Sequence, residues 1–329
     1  VKLAKRHKFA QLSGFVNGVL RNIARNIDSV QFDTLSIRYS MPQWIVDRFV
    51  AAYGEKKAEE IFKAFHNKST ISIRTNLTRC TPDELRAMLE AEGVTVTAVD
   101  ELNYAFVISG FDYLNGLQSF RDGLFYVQDI SSMLVAQTAA PKKGDYVIDV
   151  CAAPGGKSTH IAELLQGSGH VLARDLTDNK VDMIEENIER HGLNNMSAEV
   201  WDATVFDADS AGKADILICD LPCSGLGVLG RKKDIRYKMT PESVDELAAL
   251  QRQILDTVHT YVKPNGVLVY STCTIDEAEN EDNVRWFIEK HPEFELDKSF
   301  AEGTGMKQIL PGEHGSDGFF IARFIKSKL

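Results

Sequence analysis

A chain of 329 residues, 44% hydrophobic and 26% charged, can bury a full core and has room for two or three domains. Its formal charge of −10 argues against a general nucleic-acid coat protein. With no apolar run near the roughly 18 residues of a membrane helix and no export-signal pattern at the start, a cytoplasmic protein that touches no membrane is expected.

The chain starts at Val1, and residues 1–27 carry Lys2, Lys5, Arg6, Lys8, Arg21 and Arg25 with no acid. Phe15, Val16, Val19, Leu20 and Ile23 form an apolar helical stripe, which reads as the last helix of something larger, packed on the rest or left from a trimmed domain. Residues 42–65 continue a helical pattern, with Trp44, Ile45, Phe49, Ile61 and Phe65 as core candidates. The period then changes: 71–77 alternates like a strand, Thr81-Pro82-Asp83-Glu84 caps a helix ending near Gly93, and 94–99 and 105–109 alternate again. A small βαββ-type unit of about 60 residues is expected.

Beyond a short helix after Gln128-Asp129, strands and helices alternate to the end. Strands are expected at 146–150, 170–175, 198–202, 215–220 and 267–271, and helices at 178–191, 241–262 and 280–290. That alternation defines an α/β fold with a parallel, doubly wound sheet, helices on both faces. The last strand, 319–325, follows a turn with no crossover helix and is expected to enter antiparallel.

Three clusters carry chemistry. Cys223 follows Asp220-Leu221-Pro222 and Cys273 follows Ser271-Thr272, each at a strand end, so parallel neighbouring strands would bring both thiols to one sheet edge. The third, Asp149-Val150-Cys151-Ala152-Ala153-Pro154-Gly155-Gly156-Lys157, runs from a strand through a small-residue turn into a helix whose N-terminal N–H groups suit a carboxylate or phosphate. It is neither the GxGxxG of nicotinamide folds nor a phosphate loop, since Cys151 stands where the first glycine of the latter belongs. Asp175, Asp202 and Asp220 close successive strands, and such carboxylates suit ribose hydroxyls, an adenine amino group and a positive charge, all present in S-adenosylmethionine. Helix capping and turn formation are the alternative roles of Asp202 and Asp175. Five cysteines without CxxC repeats or paired His–Cys spacing speak against disulfides and zinc, so no metal is expected. Residues 231–238 hold five bases, Arg231, Lys232, Lys233, Arg236 and Lys238, against Asp234, a local polyanion footprint within an acidic protein. His7, His160 and His314 are read as structural.

These clusters, with Ser271-Thr272-Cys273-Thr274 and His314-Gly315-Ser316-Asp317-Gly318-Phe319-Phe320, resemble the RNA cytosine-C5 methyltransferases of the nucleolar-protein/Sun family, and within it the bacterial Sun/Fmu group acting on small-subunit ribosomal RNA. Ile73-Arg74-Thr75-Asn76 and Val127-Gln128-Asp129-Ile130-Ser131-Ser132 are similar to that family's N-terminal module, so the resemblance covers nearly the whole chain. Gly14 to Asn22 is similar to the last helix of the family's NusB-like domain, and by that comparison residues 1–27 are expected to be a remnant of it. The implied organisation is a NusB-like remnant at 1–27, a helical linker at 28–66, a small RRM-like α+β module at 67–127 and a Rossmann-like class I methyltransferase domain at 128–329. Leu221 stands where the family has Ala, and Lys233 where it has Pro before the Asp of the basic loop.

The resemblance implies transfer of a methyl group to C5 of a cytosine in ribosomal RNA, by a monomer. It implies Cys273 as the nucleophile at C6, Cys223 as the thiol assisting proton removal or adduct release, and Asp220 on N3 of the base. Sequence alone does not rank the two thiols. Cys151, Ala152, Ala153, Pro154, Gly155, Gly156, Lys157, Asp175, Asp202 and Asp220 would hold the cofactor, and Arg231, Lys232, Lys233 and Arg236 the RNA. Cys80, Cys151 and Cys219 are read as unreactive. A catalytically idle RNA-binding ribosome assembly factor, a cytosine-C5 methyltransferase acting on another RNA and a DNA cytosine methyltransferase are the competing readings; the last would need Cys223 as nucleophile and a large target-recognition insert, which the sequence does not show.

Overall fold

The computed structural model describes residues 1–29, 32–67 and 70–328. The linker expected at 28–66 and the module expected from 67 run over 30, 31, 68 and 69, which lie outside the described residues. The chain divides into two compact units, Val1–Arg48 and Phe49–Leu329. In the first, the apolar stripe does form a helix, Ser13–Asn26, yet it buries no residue, and Phe15 is 73% exposed. Thr34 caps the short helix Leu35–Arg38 by accepting from Ile37 N–H.

The single helical pattern at 42–65 is two helices, Gln43–Tyr53 and Glu55–His66. Gly54, with φ +76°, breaks them, a left-handed conformation that glycine adopts without steric cost. Ile45, Phe49, Ile61 and Phe65 are buried as the period requires, Trp44 is half-buried, and Phe49 stacks on Phe62 at 5.7 Å.

The small sheet comprises β1 (Ile71–Thr75), β2 (Thr95–Val99), β3 (Leu102–Ser109) and β4 (Phe125–Val127). Between β1 and β2 runs the helix Pro82–Ala91, begun by the Thr81/Glu84 capping box anticipated from the sequence. Strand order is β2-β3-β1-β4, every pair antiparallel. That is the order of a βαββαβ ferredoxin-like sheet whose second helix has shrunk to the four residues Gln118–Arg121. The expected βαββ unit omitted β4 because three residues are too few to show a period of two.

The large sheet comprises β5 (Tyr146–Asp149), β6 (His170–Asp175), β7 (Met196–Val200), β8 (Ala214–Asp220), β9 (Val262–Thr272), β10 (Phe294–Leu296), β11 (Met306–Ile309) and β12 (Phe319–Lys326). Its order is β10-β12-β9-β8-β5-β6-β7, with β11 on β12. The five strands β5 to β9 pair in parallel, and β12 lies antiparallel to β9 as expected. β7 starts and ends two residues before the expected 198–202, leaving Asp202 in the loop beyond it. The helix Pro241–Val258 stops short of 262 because Val262 already belongs to β9.

Both faces of the sheet are covered, as parallel sheets require. Ile148, Leu217, Leu268 and Tyr270 point to one side, against Ile254, Leu255, Val258 and Phe287. Their alternating neighbours Val147, Ile216, Ile218 and Val269 point to the other, against Val135, Ile161 and Ile184. From β5 the chain steps outward to β6 and β7, then returns to β8 on the opposite side of β5. The strand order thus reverses between β5 and β8, and a crevice opens at their carboxyl ends.

Candidate active site

The turn after β5 meets that crevice. Gly155 has φ +102° and donates its N–H to Ala152 O at 2.7 Å, and the helix Gly156–Leu164 begins directly after it. A Cβ on Gly156 would come within 3.0 Å of the Tyr126 ring, so the backbone approaches closely there. The first-turn N–H groups have no intrahelical acceptors and face outward. Asp149, fully buried below the turn, accepts from Ser158 Oγ at 2.5 Å, and burial pushes its carboxyl up to about 7.

Asp175 is buried and accepts from Ala153 N–H (2.9 Å), Leu176 N–H (2.8 Å) and the Lys180 ammonium (2.8 Å), tying the turn after β5 to the end of β6. A carboxylate offers about four acceptor positions, so room for a ribose hydroxyl remains. Asp202 is no helix cap: Oδ1 accepts from Thr204 N–H (2.8 Å) and Oγ1 (2.7 Å), a local turn whose hydrogen bonds hold the carboxyl below its ordinary range. Asp220 at the end of β8 accepts from Lys157 Nζ at 2.6 Å and from Ser271 Oγ at 2.7 Å, the latter across the register pair of β8 and β9.

That register brings the two thiols together. Cys223 and Cys273 follow adjacent strand ends, and their Sγ atoms lie 3.3 Å apart. The two thiols part in character. The hydrogen bond from Cys223 holds the Cys273 thiol below its ordinary value; burial and Asp220 oppose this, while Lys157 and Lys232 support it. The same hydrogen bond, with burial, pushes Cys223 well up. Burial works against the Lys157 charge, and Asp220 more than offsets it, so the ammonium persists. Burial raises Cys151 and Cys219 strongly, in keeping with unreactive thiols.

Asp175, Asp202, Asp220, Cys151, Ala153, Cys223 and Cys273 all line one cleft of about 640 Å³. Three acids, Cys151 and Ala153 of the turn after β5 and an indole, Trp201, suit a cationic nucleoside such as S-adenosylmethionine, while Ala152, Pro154, Gly155, Gly156 and Lys157 do not line the cleft. Trp201 was missed because a lone aromatic after a strand carries no sequence signal of its own. Glu279 was also missed: buried beneath the thiols, it lies in an acidic run that reads as an ordinary helix start.

The basic loop needs correction. Lys232 lines the cleft and Lys233 is exposed. Arg231 is instead committed to Asp129 (2.9 Å), Asp317 (2.5 Å) and Thr70 O (3.0 Å), and Arg236 is buried, donating to Leu229 O at 3.1 Å. Arg236 braces the loop from inside, and the partly exposed Arg231 ties it to Asp129 and Asp317. His160 is buried against Tyr104, His314 pairs with Glu101, and neither they nor the exposed His7 line the cleft. Asp256, His259 and His291 bring ligand-type atoms within 4.8 Å of one another, at the end of β9 opposite Cys273, with Lys290 on the Asp256 carboxylate at 2.9 Å.

An open doubly wound sheet, a glycine turn after its first strand and acids at the following strand ends define a Rossmann-like methyltransferase, whose cofactor is S-adenosylmethionine. The profile of the 16S rRNA methyltransferase RsmB/F family matches residues 136–325, and that of an RsmF/B-like ferredoxin-like domain matches 41–111. The chain belongs to the 16S rRNA methyltransferase RsmB/F family. It is 38% identical, over 99% of its length and 76% of the relative's, to the probable ribosomal RNA small subunit methyltransferase B of Bacillus subtilis. It is 32% identical, over 99% and 77%, to that of Synechocystis sp.. It also resembles the crystal structure of NSun6 from Pyrococcus horikoshii with SFG (TM-score 0.79, 25% identity, 88% of this chain and 99% of that one).

Proposed function

We propose that this protein methylates C5 of a cytosine in small-subunit ribosomal RNA through a covalent adduct between Cys273 and C6 of the base. The observation that carries this reading is the thiol pair, 3.3 Å apart in the acid-lined cleft. C5 of cytosine is a weak nucleophile, and addition of a thiolate to C6 turns it into an enamine carbon. The bound cofactor supplies an electrophilic methyl group. Cys273, held below the ordinary thiol range, adds to C6; Asp220, oriented by Lys157 and Ser271, hydrogen-bonds or protonates N3 and draws charge from the ring. The C5 proton then passes to a base, its bonding pair re-forms the C5–C6 double bond and Cys273 leaves C6 as a thiolate; Cys223 is the adjacent group to assist either proton removal or release of the adduct.

In this reading the turn from Cys151 to Lys157, with Asp175, Asp202 and Asp220, holds the cofactor. Lys232 and Lys233 meet the RNA, whose target base leaves its stack to enter the cleft. The helical remnant (1–27), linker (28–66), small module (67–127) and methyltransferase domain (128–329) belong to the same proposal. The test is methyl transfer from radiolabelled S-adenosylmethionine to ribosomal RNA lacking the modification. Incorporation into 5-methylcytosine is expected, Cys223→Ala is expected to accumulate a protein–RNA adduct that survives denaturing electrophoresis, and Cys273→Ala to form none. Binding without incorporation would leave an assembly factor, and an adduct on Cys273→Ala would reverse the thiol roles.

A further inference from the structure

We propose that Glu279 is a positioning residue which, through Ser224, holds Cys223 as the hydrogen-bond donor of the thiol pair and leaves Cys273 as the acceptor. The inference rests on the reading of Cys273 as nucleophile and adds what makes two neighbouring cysteines unequal.

Glu279 is fully buried in the segment between Cys273 and the helix Glu281–Lys290. Its Oε2 accepts from Ser224 Oγ at 2.5 Å, and its Oε1 from Ser224 N–H at 2.9 Å and Gln251 Nε2 at 2.9 Å. Gln251 Nε2 also donates to Pro222 O at 2.8 Å. Cys223 is therefore gripped on both sides, through Pro222 by Gln251 and through Ser224 by Glu279. Ser224 Oγ lies 3.0 Å from Thr274 Oγ1, so the residues that follow the two cysteines are joined to each other as well. The Tyr270 hydroxyl donates to the Glu279 carbonyl, which anchors the segment to β9.

The charges around the pair are lopsided. Burial raises the Glu279 carboxyl above its ordinary range, three neutral donors oppose that rise and Asp276 adds to it; when ionised, its negative charge acts on Cys223 with no cation among its donors. Lys157 from the helix Gly156–Leu164 and Lys232 from the loop after Cys223 act on Cys273, with Asp220 from β8 opposing them. Asp276 faces Glu279 from its own segment. A thiolate on Cys223 would meet the Glu279 carboxylate, whereas one on Cys273 meets two ammonium groups as well as Asp220, and in this proposal the proton stays on Cys223.

The experiment is limited alkylation by substoichiometric iodoacetamide near neutral pH, with the label apportioned between Cys223 and Cys273 by peptide mass spectrometry. Wild type is expected to carry the label on Cys273. In Glu279→Gln the ratio of Cys223 to Cys273 label is expected to rise roughly tenfold, the change that one unit of relative pKa produces. Ser224→Ala should shift it the same way by less, and Glu279→Asp should restore most of the wild-type split. S-adenosylmethionine binding at wild-type affinity certifies each variant as folded, and should Glu279→Gln fail that check, Ser224→Ala decides by the same criterion. Label that stays on Cys273 in the folded variants overturns the inference alone. Label that falls mainly on Cys223 in wild type overturns the assignment of Cys273 as nucleophile and the inference with it.

Discussion

Lys157 joins the two halves of the site. Its ammonium is 2.6 Å from Asp220, lies 5.4 Å from the centroid of the Phe319 ring, and contributes to the positive field at Cys273. A thiolate is the deprotonated form, so a nearby cation lowers its pKa and removing that cation raises it. Lys157→Met is therefore expected to move the midpoint of Cys273 alkylation to higher pH and to slow labelling at neutral pH by roughly tenfold, the effect of one pKa unit on the thiolate fraction. The pH profile of iodoacetamide reaction read at the Cys273 peptide checks this, and an unmoved midpoint would show that Lys157 serves Asp220 only.

The loop after β8 lies against the turn before β12. Gly227 N–H donates to Cys273 O at 3.1 Å, and Gly318 N–H donates to Gly227 O at 2.9 Å. A Cβ on Gly227 would stand 2.3 Å from Gly318 O and 2.8 Å from Cys273 O, both backbone atoms with no side chain to swing away. Three of the residues in the 314–320 segment thereby acquire physical reasons: Gly318 admits the loop, Asp317 pairs with Arg231, and Phe319 lies beneath Lys157. Gly227→Ala is expected to destabilise the fold by about 1–3 kcal/mol in urea titration and to abolish methyl transfer. Cofactor affinity should stay within about twofold, because the cradle lies across β8 from this contact; an active variant of wild-type stability would refute the packing argument.

The small sheet is built into the catalytic domain rather than hung from it. Arg74 on β1 is fully buried: it donates to Gln128 Oε1 at 2.9 Å and to Thr159 Oγ1 at 3.1 Å, and pairs with Glu163. Thr159 and Glu163 lie on the helix that begins at the cofactor turn, and Tyr126 of β4 donates to Pro154 O at 3.2 Å in that turn. Arg74→Ala strands a buried carboxylate, which typically costs about 3–5 kcal/mol. Loss of that order in urea, with weaker S-adenosylmethionine binding by calorimetry, is expected. The double variant Arg74→Met/Glu163→Leu should recover part of the stability, because the pair's desolvation cost disappears with the pair. A loss below about 1 kcal/mol for Arg74→Ala would mean the two sheets fold independently of this ion pair.

Local patterns in the chain were sufficient for the parallel α/β architecture, the capped helix at Thr81, the glycine cradle and the positions of both cysteines, because each depends on spacing and residue type within a few neighbours. The break at Gly54, the strand β4 and the two-residue offset of β7 escaped because a short element or a single glycine leaves almost no periodic trace. The ion pairs of Arg231 and the burial of Arg236 depend on Asp129, Asp317 and Leu229, partners that a charge count cannot see. The inequality proposed for the two thiols involves Glu279, fifty-five residues beyond Ser224 in the chain and hydrogen-bonded to it in the fold. Residue order carried the candidate groups; their juxtaposition came from the register of β8 on β9, because charge and hydrogen bonding act through space and are set by whichever distant residues the sheet brings alongside.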